Sequence, residues 1–340
     1  MTKRTRLFLF FAVGILVTGL GTGLVASYMG LQNLVLIGSE GPAELAYVPA
    51  DARVVAFVDV RQVMDSEVRQ KLMQLQPDSI KGADKFQVET GIDIRTQVDK
   101  VIASISGDGA EGNQRPLLLV RGNFETSLIE SLIRQKGGQA SEYQGTRLLT
   151  DPEGNMGVAF VEPGLVAVGS LAAVRRALDT KLAGQNVTDN AEVMRLVKTI
   201  DDGNAWAVAR FDALTGGSRL PADLAKQLPA ISWFAATGTI NDGIRGVVHA
   251  EARDEAAAND LRDVIRGFVA LARMQTSQRP EFADLMNSFE LGGQGNTVSL
   301  GFAIPGELID VIGAIHAARP RPDSQPEVGP TLKEWPTPSL

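Results

Sequence analysis

The chain has no cysteine and only two histidines, His249 and His316, among its 340 residues. The first absence excludes disulfides, thiolate zinc sites, iron–sulfur ligation and cysteine nucleophiles together. The scarcity of histidine leaves a metal site dependent on carboxylates, and no HExxH spacing is present. Strand alternation places His249 opposite Val248, toward solvent, and His316 falls near the end of a closing helix, where a cation suits the free carbonyls. A GxSxG nucleophile elbow is missing, as is a phosphate-cradling GxxxxGK[ST] loop. No cofactor is expected. Positive charge is also in short supply: 33 Lys and Arg face 40 Asp and Glu, for a formal net charge of −7. Three of the cations and no acid lie in residues 1–30, which leaves −10 on the rest. That balance repels a phosphate backbone, so nucleic acid is not an expected partner, and it disfavours adhesion to anionic lipid by charge alone.

One stretch lacks charge altogether. From Leu7 to Met29, about 23 positions at about 1.5 Å per helical residue reach roughly 34 Å, enough to cross a hydrocarbon core of about 30 Å. Leu7, Phe10, Phe11, Ile15, Leu16, Leu20 and Leu24 supply its apolar bulk, and Tyr28 stands where an interfacial aromatic belongs. Lys3, Arg4 and Arg6 precede it, which predicts a cytoplasmic N-terminus and a body outside the inner membrane, in the periplasm or beyond the cell. The run is longer than a secretory apolar region, although Val25-Ala26-Ser27 resembles a cleavage site, so a cleaved signal peptide is the rival reading. Gly19, Gly21 and Gly23 mimic a dinucleotide fingerprint, but no strand precedes them. Gly19 and Gly23 form a GxxxG pair that permits close helix packing in lipid.

The remainder reads as an α+β body. Its plan is a linker at 31–45, a unit at 46–182, a connecting segment at 183–203, a second unit at 204–318 and a tail at 319–340. In the first unit, "RVVAFVDVRQV" from Arg53 is an apolar strand with a polar exit. A helix capped by Ser66 follows, then "DIRTQVDKVIASIS" as a short helix entering a strand, and "RPLLLVRGN" as the next strand. Asn123 and Ser170 are expected helix caps, with three short strands between those helices. The second unit repeats the order: "NAWAVARFDAL" from Asn204 matches the strand from Arg53. "ISWFAATGTINDG" and "IRGVVHAEARD" match the next two strands, and Asp254 caps a long helix. A hairpin and a helix opened by Pro305 close the unit. The expected fold is thus a single N-terminal transmembrane helix followed by two similar α+β units, with mainly antiparallel sheets packed by helices. Six of the 16 prolines lie after Ala318, so the tail is expected to be extended and disordered.

The strings "AYVPAD", "FVDV", "ETGIDIRTQVDKV" and "VAFVEPGLVAVGSLAAVRRALD" resemble those of a broad bacterial group of membrane-anchored proteins with a domain of unknown function. The likeness is best over Ala46–Asp179 and looser over the second half. It implies one N-terminal helix and a repeated α+β ectodomain, and it brings no catalytic residues.

Carboxylates are the chemistry still open. Asp108 with Glu111, and Asp201 with Asp202 and Asn204, share glycine-containing loops, but neither has calcium-loop spacing. Asp59 and Arg61 stand at matching places to Arg210 and Asp212, which would permit a cross-unit ion pair. Trp335, between prolines and followed by Pro336 and Pro338, suits docking of an extended tail in a partner's groove. These features predict a membrane-tethered binding or scaffolding protein of the bacterial envelope, held by its N-terminal helix, with an envelope protein as partner. The rivals are a carboxylate-based hydrolase acting on envelope glycans and a carrier of a hydrophobic ligand.

Overall fold

Twelve strands join in one antiparallel sheet in the computed structural model, which describes residues 41–75, 84, 87–88, 90–107, 114–200, 203–211, 231–276 and 283–310. The fold is mixed α+β, with helices on both faces of that sheet. The expected membrane run, the tail and the loop acids Asp108, Glu111, Asp201 and Asp202 lie outside the described residues. Among the described residues no helix is long and apolar enough to cross a membrane.

The strands are β1 (Ala52–Asp59), β2 (Val98–Ser106), β3 (Arg115–Gly122), β4 (Gln139–Tyr143), β5 (Thr146–Thr150), β6 (Met156–Glu162), β7 (Leu165–Ser170), β8 (Ala205–Arg210), β9 (Ile231–Ile240), β10 (Ile244–Ala252), β11 (Glu290–Gly292) and β12 (Thr297–Ile304). At the centre β1 pairs with β8, Val54 opposite Ala209, Ala56 opposite Ala207 and Val58 opposite Ala205. On one side follow β2, β3, β7, β6, β5 and β4; on the other β9, β10, β12 and β11. The two halves therefore share one continuous sheet. Both central strands are apolar on alternate and intervening positions because both of their faces are covered.

One face is the larger core. Val55, Phe57, Ile102, Leu117, Leu119, Trp206, Val208 and Trp233 project there, with Phe57 and Trp206 stacked at 5.7 Å. Against them pack α5 (Leu171–Ala183), α6 (Ala191–Ile200) and a 3₁₀ turn at Ala43–Tyr47. Ser170 caps α5 as expected, its hydroxyl accepting from Ala173 N at 3.2 Å. The stretch between the halves is more than a connector, since α6 buries Val193, Met194, Leu196, Val197 and Ile200.

The opposite face carries three separate clusters. The first gathers Val60 of α1 (Val60–Asp65), Ile94 of α3 (Ile94–Gln97) and Val98. The second holds Val68 of α2 (Glu67–Leu75), Ile240, Ile244, Phe302 and Leu308, with Leu285 of α8 (Ala283–Ser288) against it. The third joins Ile231, Ala250 and Val298 to Ala257, Ala258 and Leu261 of α7 (Glu255–Thr276). Asp254 caps α7, accepting from Ala257 N at 2.8 Å.

Two local expectations need correction. Asn123 does not cap α4 (Thr126–Gln135): its own N–H donates to Gln97 O at 2.8 Å, and the helix starts behind Glu125. The segment before β5 is also a strand, β4, closed by a two-residue loop in which Gln144 and Gly145 have φ of 50° and 72°. Two successive positive φ values match a type I′ turn, whose twist suits a tight hairpin.

Candidate functional site

Among the described residues, a group of five ionisable side chains gathers around the 3₁₀ turn at Ala43–Tyr47. Glu44, in the 3₁₀ turn, is buried and ion-paired with the Arg121 guanidinium at the end of β3. Arg121 also donates to Glu162 at 3.1 Å, and the Tyr47 hydroxyl donates to the other Glu162 oxygen at 3.0 Å. Lys181, near the end of α5, lies 3.8 Å from Glu162 and 4.9 Å above the Tyr47 ring. Five side chains from four elements thus form one network around a turn only five residues long.

The local sequence explains this placement. Leu45, Tyr47 and Val48 are 0%, 4% and 0% exposed, so burial of three large side chains draws the turn into the core. Glu44 goes in with them, and a buried carboxylate needs a paired charge. Val187 N donates to Val48 O at 2.8 Å, Asn190 Nδ2 to Ala50 O at 2.9 Å, and Pro49 bridges Asn186. The segment 41–50 is therefore a strap stitched to the stretch between α5 and α6 and tied by side chains to β3, β6 and α5.

The electrostatics follow. Burial, then the hydrogen bond to Glu162, pushes the Tyr47 phenol up to about 12. Burial raises the Glu162 carboxyl, but the bonds from Arg121 and Tyr47 outweigh it and hold the group below its ordinary value. An ionised, hydrogen-bonded Glu162 can anchor a cation; it is poorly suited to give up a proton as a general acid, which needs a raised value.

The other candidate positions are used structurally. Asp59 accepts from Gln62 N at 3.0 Å and caps α1, while Arg61 donates to Asp99 at 2.8 Å, so the pairing of Arg61 is within its own half. Arg210 lies over the Trp233 ring, and Asp212 lies outside the described residues. Asn204 is buried and clamps the next strand, donating to Ile240 O at 2.8 Å and accepting from Ile240 N at 3.0 Å. His249 is half-buried on the sheet face opposite Val248. Among the described residues no three His, Cys, Asp or Glu side chains gather as a metal site. Trp335, Pro336, Pro338, His316 and the run Leu7 to Tyr28 lie outside the described residues. The network around Arg121 is not legible in the sequence, because "PAELAYVPAD" has no helical or strand period and Glu44 reads as linker.

A second feature is apolar. On α7, Phe268, Leu271 and Met274 are 58%, 56% and 72% exposed. Arg262 of that helix donates to Gly295 O and Thr297 O at the β11–β12 turn. Leu271 is nine residues on, and at about 100° per residue it lies on the other side of the helix, toward the centre of the sheet.

No protein-family model matches the chain, and no curated protein matches it. Among solved structures it is similar to TP0453. Crystal form III aligns with a TM-score of 0.47 at 10% identity, over 81% of this chain and 100% of that one. Crystal form I aligns with a TM-score of 0.48 at 9% identity, over 80% and 98%.

Proposed function

We propose that the protein is a membrane-tethered binding or scaffolding protein of the bacterial cell envelope, its N-terminal run an uncleaved anchor and its body outside the inner membrane. The observation that carries this reading is the strap. Residues 41–50 follow the membrane-length run after a short interval, and they enter the core of a twelve-stranded sheet rather than dangling from it. A short lead into a fixed body is what a tethered platform requires. The body is two units of one plan. In support, aligning Arg53 with Asn204 makes Val54 equivalent to Ala205 and Val58 to Ala209. The observed pairs Val54–Ala209 and Val58–Ala205 are then the same pair viewed from two sides, with Ala56 facing Ala207 on a local two-fold axis. Trp335, Pro336 and Pro338 provide the docking segment for an envelope protein. Pull-down from membranes with the full chain tests this: a specific partner lost on deletion of Thr331–Leu340 supports it. An unchanged set of proteins contradicts the role of the tail.

The exposed stripe of α7 favours a second reading, carriage of a hydrophobic ligand between helix and sheet. Lipid extracted with the purified protein, and lost on Leu271→Asp, would favour that reading over scaffolding.

A further inference from the structure

We infer that the pole of the body formed by the end of α5 and the β6–β7 turn rests on the interfacial zone of the bilayer that holds the anchor; this rests on the anchor reading above. The described chain begins at Gly41, and only residues 30–40 separate it from the end of the apolar run at Met29. Eleven residues, fully extended, span at most about 40 Å, so this pole is on a short lead. The strap delivers the chain to a defined place. Tyr47 bonds Glu162, the last residue of β6, and Lys181 covers the Tyr47 ring at 4.9 Å. The lead reaches the body at Gly41, against Leu45 and Val197 of α6, and within six residues the strap meets Glu162, so the exposed Pro163-Gly164 turn and the end of α5 lie near the point of arrival. At that point Leu182 is 66% exposed, an isolated large apolar side chain next to a lysine on a helix end. An exposed leucine at a helix end can enter the headgroup boundary, while Lys181 beside it stays over the Tyr47 ring and against Glu162.

The absence of cysteine makes the test clean. Leu182→Cys, Gln185→Cys and Glu153→Cys variants of the full chain are labelled with one environment-sensitive fluorophore and reconstituted in vesicles of zwitterionic and anionic phospholipid with nitroxide-bearing headgroups. Gln185 is an exposed neighbour that guards against a local fault at 182, and Glu153, exposed in the β5–β6 turn at the other end of β6, is the control. Quenching several-fold stronger at 182 and 185 than at 153 is expected. Equal or stronger quenching at 153, or none anywhere while the protein withstands a carbonate wash, overturns the orientation alone. Protein that washes off overturns the anchor and the orientation with it.

Discussion

At the residue scale, the account turns on Arg121 and the two carboxylates it joins. Glu44 has a side chain 9% exposed and Arg121 one 31% exposed, so the pair is neither fully dry nor a surface contact. Arg121→Leu strands a buried carboxylate, and about 2–3 kcal/mol of stability should go with it, at or below the low end for broken buried pairs because the arginine is partly wet. Glu44→Gln keeps an acceptor for the guanidinium and should cost less; urea unfolding of both variants orders them. The same network sets the pH limits. Glu162 has its folded-state pKa lowered, so its contribution is present above the unfolded carboxylate value and is lost as pH falls through the depressed one. Tyr47 has its folded-state pKa raised to about 12, so its contribution is complete below the unfolded value near 10 and is lost as pH rises from there toward 12. Stability measured against pH should therefore fall at both ends; Tyr47→Phe should abolish the Tyr47 part of the alkaline limb and also weaken the acid limb, because it removes one of the bonds that hold Glu162 down. These partners lie 115 and 77 positions apart in the chain, so no local pattern announces them.

At the element scale, the strap and the caps give the sharper contrasts. Leu45→Ala should cost about 2–5 kcal/mol, because the side chain is fully buried between sheet and helices. Ser170→Ala should cost about 1 kcal/mol through the loss of one cap bond on α5. Thermal unfolding separates the two by size, and a Leu45 effect as small as that of Ser170 would mean the strap is peripheral. Much at this scale was legible. The strands from Arg53 and Asn204, the Ser170 and Asp254 caps and the hairpin turns announce themselves by alternation and by capping residues placed at the change of period. Three elements were not. β4, "QASEY", is an edge strand with one partner and no buried side chain, so it lacks the apolar alternation by which strands are read. The 3₁₀ turn is shorter than any period. α6 lies where the plan of two units leaves room only for a connection, although its apolar face is strong.

At the scale of the whole molecule, the two halves are edge-joined through β1 and β8 into a single sheet, with the larger core on the face that also receives the strap. The sequence could be divided into two units, yet nothing in it showed that they share a ladder, because strand pairing between halves is set by contacts about 150 positions apart. Removing Thr331–Leu340 should leave the midpoint of thermal unfolding unchanged, since the described core is complete by Asp310; a drop of many degrees would mean that the tail packs on its own body. The claim on which the rest depends is that the body is held outside the inner membrane by an uncleaved N-terminal anchor. Protease treatment of intact spheroplasts tests it most directly. The body should be digested while a cytoplasmic marker survives, and the N-terminal fragment should stay in the carbonate-washed membrane; a body that remains protected contradicts the account.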